Sequence, residues 1–161
     1  MRPVIIGAGR GSRLGPETDH IPKTLVSVMG RPMLDWILDS VSEAGFARRD
    51  VVFVCGYAED VVRARYPELT FVRNAGWESN NILLSLLSAR EHLAGGFVST
   101  YADIVYEGAV VQKLVAAPEH IVLGCDTEWR RRYVGRSQHP ETDAEKLTAD
   151  GRRIQRISRH I

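Results

Sequence analysis

Val4-Ile5-Ile6-Gly7-Ala8-Gly9-Arg10-Gly11-Ser12-Arg13-Leu14, followed by Pro22-Lys23-Thr24-Leu25, is the stretch from which the fold can be read. A short apolar strand runs directly into a loop with three glycines in five positions. Glycine lets backbone N–H groups come close to a bulky anion. Arg10, Arg13 and, ten residues further on, Lys23 add positive charge where a polyphosphate would lie. A turn alone has no use for three cations, so the stretch reads as a phosphate cradle.

Two familiar glycine loops do not fit. The dinucleotide fingerprint G-x-G-x-x-G places its last glycine at position 12, which is Ser, and a frame started at Gly9 ends on Leu14. That fingerprint also opens a helix at once, whereas Gly15-Pro16-Glu17-Thr18-Asp19-His20-Ile21-Pro22 cannot hold an unbroken one. A P-loop requires Gly-Lys-Ser/Thr, and the sequence contains no Gly-Lys pair.

Outward from the loop, apolar runs alternate with amphipathic stretches. Strands are expected at Val4–Ile6, Asp50–Cys55, Leu69–Arg73, Phe97–Ala102 and His120–Cys125. Helices are expected at Met33–Ala44, Ala58–Tyr66, Asn81–Leu93 and Gly108–Ala116, with the leucines of Asn81–Leu93 forming one apolar face. Such alternation predicts an α/β sandwich with a largely parallel sheet. Beyond Asp126 the texture changes, and Asp150-Gly151 between Ala144–Thr148 and Arg153–Ile157 predicts a hairpin.

The 161 residues suit one domain, and 44% apolar content is enough for a core. A net charge of +1 supplies no field toward nucleic acid or an anionic membrane, so neither is an expected partner. Arg130-Arg131-Arg132 reads as a solvated face, since no wider basic surface accompanies it. No apolar run approaches the roughly 18 residues of a membrane-spanning helix, and no signal-peptide pattern precedes the loop. Cys55 and Cys125 sit near the ends of apolar runs as small hydrophobes, which makes a cytoplasmic location the expectation. The five histidines show no metal-ligand spacing.

With Gly30-Arg31-Pro32-Met33-Leu34 added, the loop and Pro22-Lys23-Thr24-Leu25 resemble the N-terminal signature of the sugar-phosphate-type nucleotidyltransferases. Gly7 stands where that family usually has alanine. The blocks Trp77-Glu78-Ser79-Asn80-Asn81, Tyr101-Ala102-Asp103-Ile104-Val105-Tyr106, Cys125-Asp126-Thr127-Glu128-Trp129 and Ala144-Glu145-Lys146 are similar to the choline-phosphate and 2-aminoethylphosphonate cytidylyltransferase branch. The resemblance implies a Rossmann-like three-layer α/β fold with a mixed, mainly parallel sheet. It implies Mg2+-dependent transfer of CMP from CTP to a small phosphorylated or phosphonate alcohol or amine, with release of pyrophosphate. A sugar-1-phosphate nucleotidyltransferase using UTP, dTTP or GTP, and a non-catalytic nucleotide-binding domain, stand as alternatives. The resemblance leaves room for a homodimer.

The implied roles have physical reasons. Two anions must meet, so the site has to provide positive charge and in-line geometry. Nucleotide contacts are implied for Gly7, Ala8, Gly9, Arg10, Gly11, Ser12, Arg13, Lys23, Asn80, Asn81 and Ser85. Lys23 and Arg13 would stabilise charge in the transition state, and Asp103 would hold the metal. Asp103 falls just past an apolar strand, where α/β sheets bind ligands, although a turn or capping aspartate would sit there too. Asn80 and Asn81 stand at a helix start, where capping and contact with a ribose or base can coexist. Trp77 is equally suited to packing in the core and to covering substrate. Asp126 with Trp129 pairs a carboxylate and an aromatic face, which suits an ammonium head group, while a turn aspartate beside a core tryptophan is the plainer reading. Glu145 and Lys146 complete the implied acceptor set. Family members continue past the position of Ile161 with further strands and a late metal-binding aspartate. The resemblance therefore implies one nucleotidyltransferase domain over residues 1–161 lacking that part, and a one-carboxylate site whose catalysis is impaired unless a longer natural protein or a partner supplies the remainder.

Overall fold

A computed structural model describes residues 1–79, 81–136 and 140–161. Two compact units are present, Met1–Val122 and Leu123–Ile161.

In the first unit, β1 (Arg2–Ile6) is followed by the small antiparallel pair β2 (Ser27–Val28) and β3 (Arg31–Pro32), then by helix α1 (Met33–Glu43). Then come β4 (Val52–Cys55), α2 (Glu59–Arg65), β5 (Thr70–Arg73), α3 (Ile82–Ser88), β6 (Phe97–Tyr101) and α4 (Gly108–Ala116). The four longer strands form one sheet in the order β5-β4-β1-β6, with every pairing parallel. Central strands of such a sheet are covered on both faces, which is why β1 and β4 are continuous apolar runs rather than alternating ones. All four residues of β4 are buried, as are Pro3–Ile6 of β1.

Alternate side chains feed two cores. Ile5 and Phe53 point to the side covered by α1 and α2, where Leu34, Ile37, Leu38, Val41 and Val62 are buried. The spacing of Leu34, Ile37, Leu38 and Val41 puts them on one helix stripe. Val4, Val52 and Val54 point to the opposite side, against Leu86 and Ala89 at the end of α3. This is a three-layer α/β arrangement. Only part of α3 is used in it: Ile82, Leu83, Leu84 and Leu87 remain exposed, so the expected single buried face is narrower than the leucine count suggests.

The chain lays down β4 and β5 on one side of β1, then crosses to its other side for β6. That reversal between β1 and β6 is a topological switch point, the place where open α/β sheets bind ligands. The glycine loop follows β1, and Asp103 follows β6.

Two expectations fail. The strand expected at His120–Cys125 is absent: these residues have no ladder partner among the described residues, and Ile121 is exposed. A short apolar run becomes a strand only where a neighbour accepts its backbone groups. Cys125 is exposed rather than packed, whereas Cys55 is buried as expected, and both are free thiols.

The second unit contains a short helical turn at Trp129–Tyr133 and the hairpin of β7 (Lys146–Asp150) with β8 (Arg153–Ser158). Gly151 supplies the positive φ (57°) of the two-residue loop, as Asp150-Gly151 predicted. Among the described residues, no helix is long and apolar enough to cross a membrane.

Candidate functional site

The glycine loop begins where β1 ends. Gly7 donates its N–H to Val54 O (2.9 Å), and a Cβ at Gly7 would lie 2.5 Å from the Phe53 ring, so a side chain there requires the ring to shift. Ala8 is buried and accepts the Tyr57 N–H at 2.9 Å. Gly9 is exposed with open space at its Cβ position, and Arg10 is half-buried. Gly11 has φ 77°, and a Cβ there would lie 2.6 Å from that of Lys23, so the absent side chain brings the lysine stem against the loop. Ser12–Thr18 forms short 3-10 turns broken at Gly15 (φ 58°, ψ −132°), consistent with the expected lack of an unbroken helix.

Pro22 leads into a 3-10 turn, Lys23–Leu25, that turns the lysine toward the switch point. There Lys23 Nζ donates to Asp103 Oδ2 at 2.9 Å across 80 positions of sequence. The two side chains are 31% and 39% exposed, so the pair is accessible to a ligand. Ser12 and Arg13 lie on the exposed part of the same loop. The fold therefore brings together Gly7–Arg13, Lys23 and Asp103.

Trp77 joins them from the β5–α3 connection. Its indole occupies the space left by Gly56, where a Cβ would meet Trp77 Cγ at 2.6 Å and Ala8 O at 2.7 Å. The Tyr57 ring lies against it at a tilt of 60°, with ring centroids 5.6 Å apart. Trp77 is thus a partly buried packing residue beside the start of the loop.

Other expected residues are engaged locally. Asn81 caps α3, its Oδ1 accepting the Leu84 N–H at 3.0 Å, and Asn80 lies outside the described residues. Ser85 is buried and accepts from the Asn74 amide at 2.9 Å. Arg10 pairs with Asp19 (2.6 Å) and lies over the Tyr57 ring. In the second unit, Asp126 pairs with Arg132 at 2.5 Å and accepts the Glu128 N–H. The Arg132 hydrogen bond holds the Asp126 carboxyl below its ordinary pKa. Trp129 lies edge-on to Tyr133 with Arg130 over its ring. Glu145 pairs with Arg159 at 3.8 Å, and Lys146 donates to the Arg159 carbonyl.

Thr18 and Tyr57 acquire their importance only in the fold. Thr18 is fully buried, and the Tyr57 hydroxyl donates toward the carbonyls of Thr18 (3.0 Å) and Asp19 (2.5 Å). Neither residue carries a charge or falls at a motif position, so no pattern marks them.

For a metal, the described residues offer no cluster of three or more acidic, histidine or cysteine side chains. Asp103 is a single carboxylate next to the loop. That fits Mg2+, which takes one or two protein carboxylates and fills its remaining positions with phosphate oxygens and water.

A family model described as a MobA-like NTP transferase domain matches residues 3–160. The chain is 30% identical over 156 residues to a CTP:phosphoglutamine cytidylyltransferase of Campylobacter jejuni, covering 91% of this chain and 61% of that protein. It is 37% identical over 125 residues to a CMP-5'-(3-aminopropyl)phosphonate synthase of Streptomyces rubellomurinus, covering 74% of this chain and 20% of that one. The fold is similar to that of the inositol-1-phosphate CTP transferase from T. maritima, with a TM-score of 0.76 and 22% identity over 99% of this chain and 64% of that one. The chain thus spans less than two thirds of the length of each of these proteins.

Proposed function

The chain belongs to the MobA-like NTP transferase domain family, and from that premise we propose that it transfers CMP from CTP to a small phosphorylated or phosphonate alcohol or amine, releasing pyrophosphate. The observation that carries this reading is the Lys23–Asp103 pair, which sets a cation and a carboxylate beside the glycine loop at the switch point. The cytidylyltransferase relatives support the choice of CTP and of an acceptor bearing a phosphorus group.

In this mechanism an oxygen of the acceptor phosphate or phosphonate attacks the α-phosphorus of CTP. A new P–O bond forms as the bond to the β-phosphate oxygen breaks, and its electron pair leaves on pyrophosphate. The acceptor oxygen is already anionic, so no general base is needed. The protein's task is to position the reactants and offset charge. Gly9, Gly11 and Ser12 present backbone N–H groups to the β- and γ-phosphates, with Arg13 adding charge. Lys23 swings from Asp103 to the α-phosphate and the attacking oxygen. Bound at Asp103, Mg2+ would neutralise phosphate charge. Asn81, Asn80 and Ser85 are proposed for the ribose and base.

Acceptor recognition is proposed for Asp126, Trp129, Glu145 and Lys146 of the second unit, while Trp77 serves as packing beside the loop. An ammonium group at Asp126 and Trp129 has to replace Arg132 on the carboxylate and Arg130 on the indole, a like-for-like exchange of cations. The proposed setting is the cytoplasm.

Pyrophosphate release assayed with CTP, Mg2+ and either phosphocholine or 2-aminoethylphosphonate tests the reading. Release that requires all three components is the expected result. Saturable CTP binding without release under any acceptor contradicts it and marks a binding module.

A further inference from the structure

We infer that Thr18 is a positioning residue, whose buried hydroxyl holds the glycine loop in the shape that receives the triphosphate. The inference rests on the nucleotide reading of that loop. Thr18 has no exposed surface, although it lies in a segment otherwise exposed from Ser12 to His20. Its Oγ1–H is shared between the carbonyls of Gly11 (3.3 Å) and Gly15 (3.2 Å). Those two glycines carry the loop's positive φ angles, 77° and 58°, and so mark its two reversals. One hydroxyl therefore ties both reversals to one point.

That point is itself anchored. The Thr18 carbonyl accepts from Arg10 Nε (3.3 Å) and from the Tyr57 hydroxyl (3.0 Å), and the Tyr57 N–H binds Ala8 O. Arg10 also pairs with Asp19. The strand end at Ala8, the cation at position 10 and both glycine reversals thus meet at Thr18. Gly11 in turn packs against Lys23, so a shift of this reversal moves the lysine as well.

The hydroxyl's partners are loop carbonyls and the whole residue is buried, so hydroxyl and volume can be varied separately to distinguish the two possible roles. Thr18→Val keeps the volume and removes the bond, and Thr18→Ser keeps the bond. A residue that merely packs is replaced by Val without loss and is weakened in Ser. A residue that positions the loop behaves in the opposite way.

Hydrogen exchange at the amides of residues 9–14, read without nucleotide, is the primary test, alongside calorimetric CTP affinity with Mg2+ and the thermal midpoint. In Thr18→Val the loop amides should exchange faster and CTP affinity should fall about tenfold, while the thermal midpoint moves little. Thr18→Ser should restore both. Tyr57→Phe, which removes the second anchor and leaves the cores intact, should also speed loop exchange. Wild-type exchange rates in both Thr18→Val and Tyr57→Phe overturn the inference, as does equal loss of affinity in the Val and Ser variants. If the wild-type chain binds no nucleoside triphosphate, the proposed function fails, and the exchange rates alone then decide the role of Thr18.

Discussion

Lys23 Nζ and Asp103 Oδ2 meet at 2.9 Å, and their contact joins the loop that follows β1 to the turn that follows β6. Each group has the charge the other needs while no ligand is bound. The pair is about one-third exposed on each side, so it contributes only about 0.2–1 kcal/mol. A triphosphate carrying several charges can displace it easily. The lysine is then free for phosphate and the carboxylate for a cation.

Removing the lysine should harm turnover more than binding. In Lys23→Ala, kcat should fall by about 10²–10³, because the lost cation acts on charge that grows in the transition state. CTP affinity should change much less, since the proposed mechanism leaves the β- and γ-phosphates to the loop amides and Arg13. Steady-state kinetics beside calorimetry reads the two effects separately, and equal losses in both would assign Lys23 to uniform binding.

Asp103 makes a different prediction. With its carboxylate paired to Lys23 and no acidic cluster among the described residues, Mg2+ alone should bind negligibly. CTP affinity should rise when Mg2+ is added to the wild type, and Asp103→Asn should largely abolish that rise. An Asn variant with the full Mg2+ response would remove Asp103 from the metal site.

Next to Lys23, Thr24 is 2% exposed and its hydroxyl has no hydrogen-bond partner among the described residues. An unmade bond in a buried site costs stability, so Thr24→Val should be neutral or stabilising by up to about 1–2 kcal/mol in urea unfolding. Destabilisation beyond 1 kcal/mol would show that the hydroxyl has a partner in solution.

The two cysteines should differ in reactivity and in pH response. Burial, reinforced by Glu59, pushes the Cys55 thiol up from 9.0 to about 11, so it stays protonated and inert at pH 8. A thiol reagent should label Cys125 alone in the native protein and both cysteines after unfolding. The unfolded chain loses the Cys55 proton near 9.0 and the folded chain near 11, so this contribution is complete below pH 9.0 and is lost as the pH rises toward 11. Tyr66, raised to about 12 by burial and by Asp35, acts in the same direction at higher pH. The urea midpoint should therefore fall between pH 9 and 11, and fall less in Cys55→Ala.

Some elements are encoded locally in the sequence, and others are created only by the fold. β1, β4 and α4 were legible because buried parallel strands are unbroken apolar runs, and because an amphipathic stretch between turn residues has one stable reading. Lys23 and Asp103 each stand out in the sequence as candidate site residues, but their contact depends on β6 pairing beside β1, which no local pattern encodes. The supposed strand at His120–Cys125 failed for the converse reason, since a strand is made by its neighbour and none is present among the described residues. Thr18 was invisible because a polar residue between Pro16 and Asp19 looks like solvent-facing loop, and only the fold buries it. Asp126 and Trp129 read as a pair in the sequence, whereas the structure gives each its own arginine, Arg132 on the carboxylate and Arg130 over the indole.

The central claim is that the loop after β1, with Lys23, is a triphosphate site with a preference for cytidine. Calorimetric titration of CTP, UTP, GTP and dTTP with Mg2+ into the wild type and Gly11→Ala tests it most directly. The Ala side chain would sit at φ 77° and press on Lys23, so it reshapes the cradle itself. Saturable CTP binding, tighter than that of the other three and severely weakened in Gly11→Ala, is the predicted result. No saturable binding of any triphosphate, or binding that Gly11→Ala leaves unchanged, would contradict the account.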